Sequence, residues 1–86
     1  MGLSHSFDVS IVAPGGVVFE GKAQRVIFPG KNGTFEILVN HKPLLSRLRS
    51  GTIVVNNQEI PIAQGVVRVL SNQVLAIVER RKSGRH

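Results

Sequence analysis

From Ser6 onward the chain alternates apolar and polar residues with a period of two. Over Ser6 to Val12, Phe7, Val9 and Ile11 share one face and Ser6, Asp8 and Ser10 the other, the pattern of a half-buried β-strand. Ala13-Pro14-Gly15-Gly16 stops it, and Val17 to Glu20 resumes extended structure before Gly21. Ala23 to Pro29 carries apolar and polar residues on both faces, which suits a strand near an edge or one covered on both sides. Thr52 to Val55 is a short β-branched strand, and Asn56-Asn57 fits a two-residue hairpin turn into Glu59 to Ala63. Pro61 cannot donate to a ladder, so that strand is expected at an edge or with its proline unpaired. Gly65 breaks the pattern, Val66 to Leu70 follows, and Ser71-Asn72-Gln73 turns into Val74 to Glu79. This last segment is apolar on both faces and is expected to be central. About eight to ten short extended segments, with turn signals every 8 to 12 residues and no three-turn amphipathic helix, predict an all-β sandwich or barrel.

Phe28 to Thr52 fits this scheme least. Pro29, Gly30, Asn32 and Gly33 predict a tight turn around Lys31 to Thr34, because asparagine and glycine both tolerate positive φ. Phe35 to Val39 is extended. Pro43 lacks an N–H and biases Lys42 away from helix, so Asn40 onward is expected to be irregular, with at most one helical turn. Leu44, Leu45 and Leu48 then stand in a loop and need something to cover them.

The 86 residues allow one domain, and no internal repeat or linker suggests a second. There is no cysteine, so neither a disulfide framework nor a thiolate zinc site holds the chain. No apolar run approaches the roughly 20 residues that cross a bilayer, and Met1 to Ser10 lacks the layout of a secretory signal, so a soluble, cytosolic chain is expected. The net charge of +6 suggests nucleic acid until it is placed. Arg80, Arg81, Lys82 and Arg85 supply four of the eleven basic residues; residues 1–79 hold seven basic against five acidic, a net of +2. Residues 1–79 are expected to form the folded body and 80–86 a basic, flexible tail, free or in contact with a partner or anionic headgroups.

Candidate chemistry is sparse. Gly30-Lys31-Asn32-Gly33-Thr34 has the residue types of a phosphate loop, but the lysine precedes the glycine and a strand follows, so the hairpin turn explains it better. The five carboxylates are scattered, and His5, His41 and His86 lack metal-ligand spacing. No catalytic residue, metal or cofactor is expected. His41, beside Pro43, reads as a turn residue whose ring bonds nearby backbone and also as part of a contact surface with Pro43, Leu44 and Leu45. The alternative from another class is a small β-barrel that binds single-stranded nucleic acid. Against it, all four phenylalanines sit in core-like settings, and there is no tryptophan or tyrosine to stack bases.

At this point the central segment becomes specific. FPGKNGTFEILVNHKPLLSRLRSGTIVV resembles that of the epsilon subunit of F-type ATP synthase (delta in mitochondria), close to PGxxGxFGILPxHxPLLxxLxPGxV. FDVSIVAPGGVVFEGKAQRV looks like the family's opening strands, and AQGVVRVLSNQVLAIVE is similar to its closing pattern. The likeness spans roughly Phe7 to Glu79. It implies a β-sandwich of about ten strands in two sheets on the central stalk, a non-catalytic rotor subunit of a proton- or sodium-translocating enzyme. Such a subunit fixes gamma to the membrane c ring so that rotation reaches the catalytic sites as torque. It implies a peripheral position on the cytoplasmic face of a bacterial plasma membrane, with no homo-oligomer and no nucleic acid. It further implies that Lys31, Asn32, Gly33, Thr34 and Phe35 face the c ring, and that His41, Pro43, Leu44, Leu45, Arg47 and Leu48 lie against gamma or at the junction of both.

Three departures qualify the likeness. Glu36 stands where glycine is usual, and Val39-Asn40 replaces a Pro-Gly or similar pair, so a differently shaped backbone is expected there. The helical hairpin that commonly follows the sandwich is missing, so a chain complete as given is expected not to insert helices into the catalytic head. On a polynucleotide column, any salt-sensitive retention should vanish when residues 80–86 are deleted; retention that survives would favour the nucleic-acid alternative.

Overall fold

The computed structural model describes residues 5–81, and among these there is no helix. The strands are β1 (Phe7–Ala13), β2 (Gly16–Ala23), β3 (Val26–Gly30), β4 (Gly33–Ile37), β5 (Leu44–Leu48), β6 (Gly51–Val55), β7 (Gln58–Leu70) and β8 (Gln73–Arg80). The all-β expectation holds, with eight strands where about ten were expected. The main reason is β7: two segments that the sequence separates at Gly65 form one strand of 13 residues.

β7 takes part in both layers. Gln58 to Ile62 pairs with β6, and β6 pairs with β3, which pairs with β4. Gly65 to Leu70 pairs with β5 on one side and β8 on the other; β8 runs parallel to β1, and β1 pairs with β2. Between the two halves the register with β8 shifts from Ile62 to Gln64, a bulge of the kind that bends a strand and increases its twist. Gly65 completes the passage, since a Cβ there would lie 2.7 Å from the carbonyl oxygen of Ile77. The layers meet again where Gly30 of β3 pairs with Leu48 of β5. As expected, β8 is central, with a strand on each side. It also runs one residue beyond the predicted body, to Arg80, while Lys82 and Arg85 of the predicted tail lie outside the described residues.

Alternation decides what fills the space between the layers. Phe7, Val9 and Ile11 from β1, Val67 and Val69 from β7, and Val74, Ala76 and Val78 from β8 face Val26, Phe28, Ile37, Ile53, Val55, Ile60 and Ile62. Among the described residues no polar or charged side chain is buried, so the core needs no internal hydrogen bonding from side chains. Turn chemistry follows the sequence. Asn56 (φ 54°) turns β6 into β7, and Ser71 and Asn72 (φ 52° and 59°) turn β7 into β8, values that asparagine tolerates better than most residues. Asn56 also accepts from the Gln24 amide through Oδ1 at 3.2 Å and donates through Nδ2 to the Lys22 carbonyl at 3.3 Å, which secures the β2–β3 connection.

Leu44 to Leu48 departs from expectation. It is a regular strand, because five residues pair with Gly65 to Val69 and supply the ladder that a loop lacks. Within it Leu48 is buried at 4% exposure and Leu44 packs on the core, while Leu45 points the other way. Truncating Leu48 to Ala should therefore cost about 2–4 kcal/mol in denaturant unfolding, whereas Leu45→Ala should stay within about 0.5 kcal/mol. Equal costs would show that both leucines serve the core.

Candidate partner-binding surfaces

Backbone pairing builds the first surface, the β3–β4 turn. Gly30 faces Gly33 across it, with Lys31 and Asn32 as the turn residues, and the positive φ falls on Gly33 (137°) rather than on Asn32. Lys31, Asn32, Gly33 and Thr34 are exposed. Phe35 differs from these: its ring is half-buried and stacks on Phe28 at 5.7 Å between centroids and 29° between planes. It anchors the turn from beneath. Gly30 leaves room for this ring, since a Cβ there would lie 2.7 Å from Phe35 Cε1 and 2.5 Å from the Gly33 carbonyl oxygen. The turn is also fastened to the end of β5: the Lys31 amide donates to the Arg47 carbonyl at 3.0 Å, and the Arg49 amide to Pro29 at 2.9 Å.

The second surface is the outer face of the β2-β1-β8-β7-β5 layer. Directly paired residues share a face, so Arg47, Val66, Ile77, Val12 and Val17 form one row across five strands. Leu45, Arg68, Leu75, Ser10 and Glu20 form the next. Much of this face is apolar yet uncovered: Leu45 is 72% exposed, Val17 61%, and Ile77 and Leu70 51% each. The inner side of the same strands already lines the core. Isolated exposed leucines are ordinary, but a row of apolar residues across a sheet marks an interaction surface.

Between the two surfaces runs the segment from Leu38 to Pro43, irregular as expected from Asn40 onward but already so at Leu38 and Val39, where extended chain was expected. Asn40 has φ 65°, a left-handed value that glycine would also adopt, so its replacement of the usual glycine requires no new chain path. Its amide donates to Asn72 Oδ1 at 2.6 Å and its Oδ1 accepts from Asn72 Nδ2 at 3.0 Å, tying this segment to the β7–β8 turn. His41 Nδ1 lies 2.7 Å from the Lys42 carbonyl oxygen. A carbonyl only accepts, so Nδ1 carries the proton in that contact and the ring bonds nearby backbone as expected. Glu36 is half-exposed and pairs with Arg25 at 3.2 Å, a surface contact of small energetic weight.

Of the residues expected against gamma, Leu45 and Arg47 lie on the outer face and Pro43 is exposed beside it, while His41 is half-buried in the adjoining segment. Leu48 is buried in the protein's own core, which leaves it little to offer a partner, and Leu44 is half-buried and packs against that core. Val12, Val17, Val66, Leu75 and Ile77 were not singled out from sequence. For Val66, Leu75 and Ile77 the signal lies in β7 and β8, where apolar residues occupy both parities although one face alone can line the core. Among the described residues no group of three or more His, Asp or Glu is arranged to hold a metal.

A model of the ATP synthase delta/epsilon chain β-sandwich domain matches residues 6–83. The chain belongs to this family. Among relatives of the delta/epsilon family, the ATP synthase epsilon chain of Nitratiruptor sp. is 40% identical over 76 residues, which cover 83% of this chain and 59% of that one. The cyanelle epsilon chain of Cyanophora paradoxa is 35% identical over 77 residues, covering 85% and 58%. The chain thus spans somewhat under three fifths of the length of these relatives. The epsilon chain of Chlorobaculum tepidum is shorter: 34% identity over 79 residues covers 86% of this chain and 90% of that one. The delta/epsilon fold also recurs in a chain of the Euglena gracilis mitochondrial ATP synthase, with a TM-score of 0.79 at 12% identity over 91% of this chain and 53% of that one. A chain in the central stalk and c-ring structure of the Tetrahymena thermophila mitochondrial enzyme gives a TM-score of 0.73 at 14% identity, over 84% and 62%.

The turn makes its own prediction. Gly30→Ala should push Phe35 off Phe28 and destabilise the domain by about 1–3 kcal/mol, whereas Asn32→Ala on the exposed tip should change stability by less than about 0.5 kcal/mol. Chemical denaturation of the two variants decides it, and a neutral Gly30→Ala would show that the turn is not packed as described.

Proposed function

We propose that this chain is a non-catalytic rotor subunit that holds the gamma subunit against the c ring of an ATP synthase, so that ion-driven rotation is transmitted to the catalytic head. One observation carries the reading: a sheet whose inner face fills the core presents a second apolar face, from Leu45 through Val66 and Ile77 to Val12 and Val17. Covering such a face with a partner removes apolar area from water at roughly 25 cal/mol per Å². Gamma is the partner assigned to it, with His41 and Pro43 at the margin of the contact. The β3–β4 turn, Lys31 to Thr34, is assigned to the polar loops of the c ring, with Phe35 supporting it from inside. Family membership supports the rotor role, and chains of the same fold occur in two mitochondrial ATP synthase structures. In a bacterium the chain would then sit peripherally on the cytoplasmic side of the plasma membrane, held there by the complex.

Coupling here requires no bond making. The domain has to resist shear between two partners, and the shared strand β7 and the stacked Phe28–Phe35 pair stiffen it for that task. Co-expression with tagged gamma should recover the chain in the complex. Leu45→Asp together with Ile77→Asp should weaken capture at least tenfold, about 1.4 kcal/mol, while leaving the amide spectrum of the free domain folded. Undiminished capture would displace gamma from this face, and a collapsed spectrum would make the two side chains structural.

A further inference from the structure

Two of the body's cations are in ion pairs: Lys22 with Asp8 at 2.8 Å, and Arg25 with Glu36. Lys31, Arg47 and Arg49 have no carboxylate partner among the described residues, yet the fold gathers them. The backbone bonds that join Lys31 to Arg47 and Arg49 to Pro29 are reinforced by Arg49 Nε, which donates to the Gly30 carbonyl at 3.1 Å. The three cations therefore line a groove of about 750 Å³ at the end of the domain where the layers meet. Val66 and Ile77, which continue the outer-face row from Arg47, also line it, as does Glu79, held by a 2.8 Å hydrogen bond from Gln64 Nε2.

We propose that this groove binds an acidic, extended polypeptide segment of a partner protein, with its carboxylates on Lys31, Arg47 and Arg49 and an apolar side chain against Val66 and Ile77. Like charges fixed side by side raise each other's free energy, and an anionic ligand relieves this while gaining strong charge-assisted hydrogen bonds. The guanidinium fork of Arg47 suits a carboxylate, and complementary charge sets both the register and the speed of docking. Charge distribution selects the class of partner. A continuous anionic bilayer would also meet Glu79, whereas a peptide with discrete carboxylates and an apolar side chain can address the cations and Ile77 separately. The groove shares Val66, Ile77 and Arg47 with the outer face, so the segment would adjoin the surface assigned to gamma. The inference rests on the proposed docking of this end to another rotor component, and adds the chemistry of what docks.

The test is a titration of the isotopically labelled chain, followed by its amide signals, with a short peptide alternating glutamate and leucine. Controls are its glutamine counterpart and vesicles of phosphatidylglycerol. The acidic peptide should shift Lys31, Arg47, Arg49, Val66 and Ile77, bind at least about tenfold tighter than the glutamine peptide, and weaken with added salt. Arg47→Glu and Lys31→Glu, whose side chains are exposed and outside any ion pair in the free domain, should each reduce affinity about tenfold without altering the fold. Equal binding of the glutamine peptide, shifts centred on residues 80–86, or vesicle binding sensitive to Arg47→Glu without peptide binding would each overturn the proposal. Failure here with gamma capture intact removes this inference alone; failure of the unsubstituted chain to bind gamma removes the reading beneath it.

Discussion

The geometry of this domain depends on one strand serving two layers. β7 pairs with β6 through Gln58 to Ile62 and with β5 and β8 through Gly65 to Leu70, so the layers cannot slide without breaking a ladder on one side of the bulge. A chain of 86 residues buries a modest core, and tying both sheets to a common strand compensates through connectivity. Gly65 makes the passage possible because the backbone of β8 lies too close for a side chain. Everything offered to a partner is positioned from there: β5 is laid along β7, and the β3–β4 turn is fastened to the end of β5.

Because the described core contains hydrocarbon side chains alone, charge and hydrogen-bonding capacity are left to the surface. Among the described residues no ionisable side chain is buried, and what distinguishes one region from another is the mixture of apolar and cationic side chains on the sheets. The outer face of the larger layer is apolar along the row from Val66 to Val17 and cationic toward Arg47, while the groove beside it gathers Lys31 and Arg49. Such a body suits a part that is gripped by its neighbours. In the proposed rotor role, its stiffness and the sign of its patches are the variables that act.

Much of the fold was legible in the residues. Phe7, Val9 and Ile11 against Asp8 and Ser10 specify a half-buried strand wherever it is placed, and Asn56 and Ser71-Asn72 specify turns through their tolerance of positive φ. The Leu44–Leu48 strand is not legible locally, because Pro43 signals irregular chain and the ladder that makes these residues a strand comes from Gly65 to Val69 of β7, distant in sequence. Gly65 was read as a break for the same reason: glycine inside a β pattern signals either a stop or a close approach of backbone, and only the neighbouring strand distinguishes them.

Local patterning therefore determined most of the elements, the turn positions and, through the order of its motifs, the family. It could not determine which side of an apolar strand is covered. Parity divides residues into two faces, but a face becomes interior only when another layer lies on it, so Leu48 and Leu45 differ by their surroundings alone. Nor could it reveal the groove. A net charge of +2 over residues 1–79 looks balanced until strand pairing carries Lys31 beside Arg47 and Arg49, with Glu79 the one acid in their groove, since electrostatic contact depends on distance in space and not along the chain.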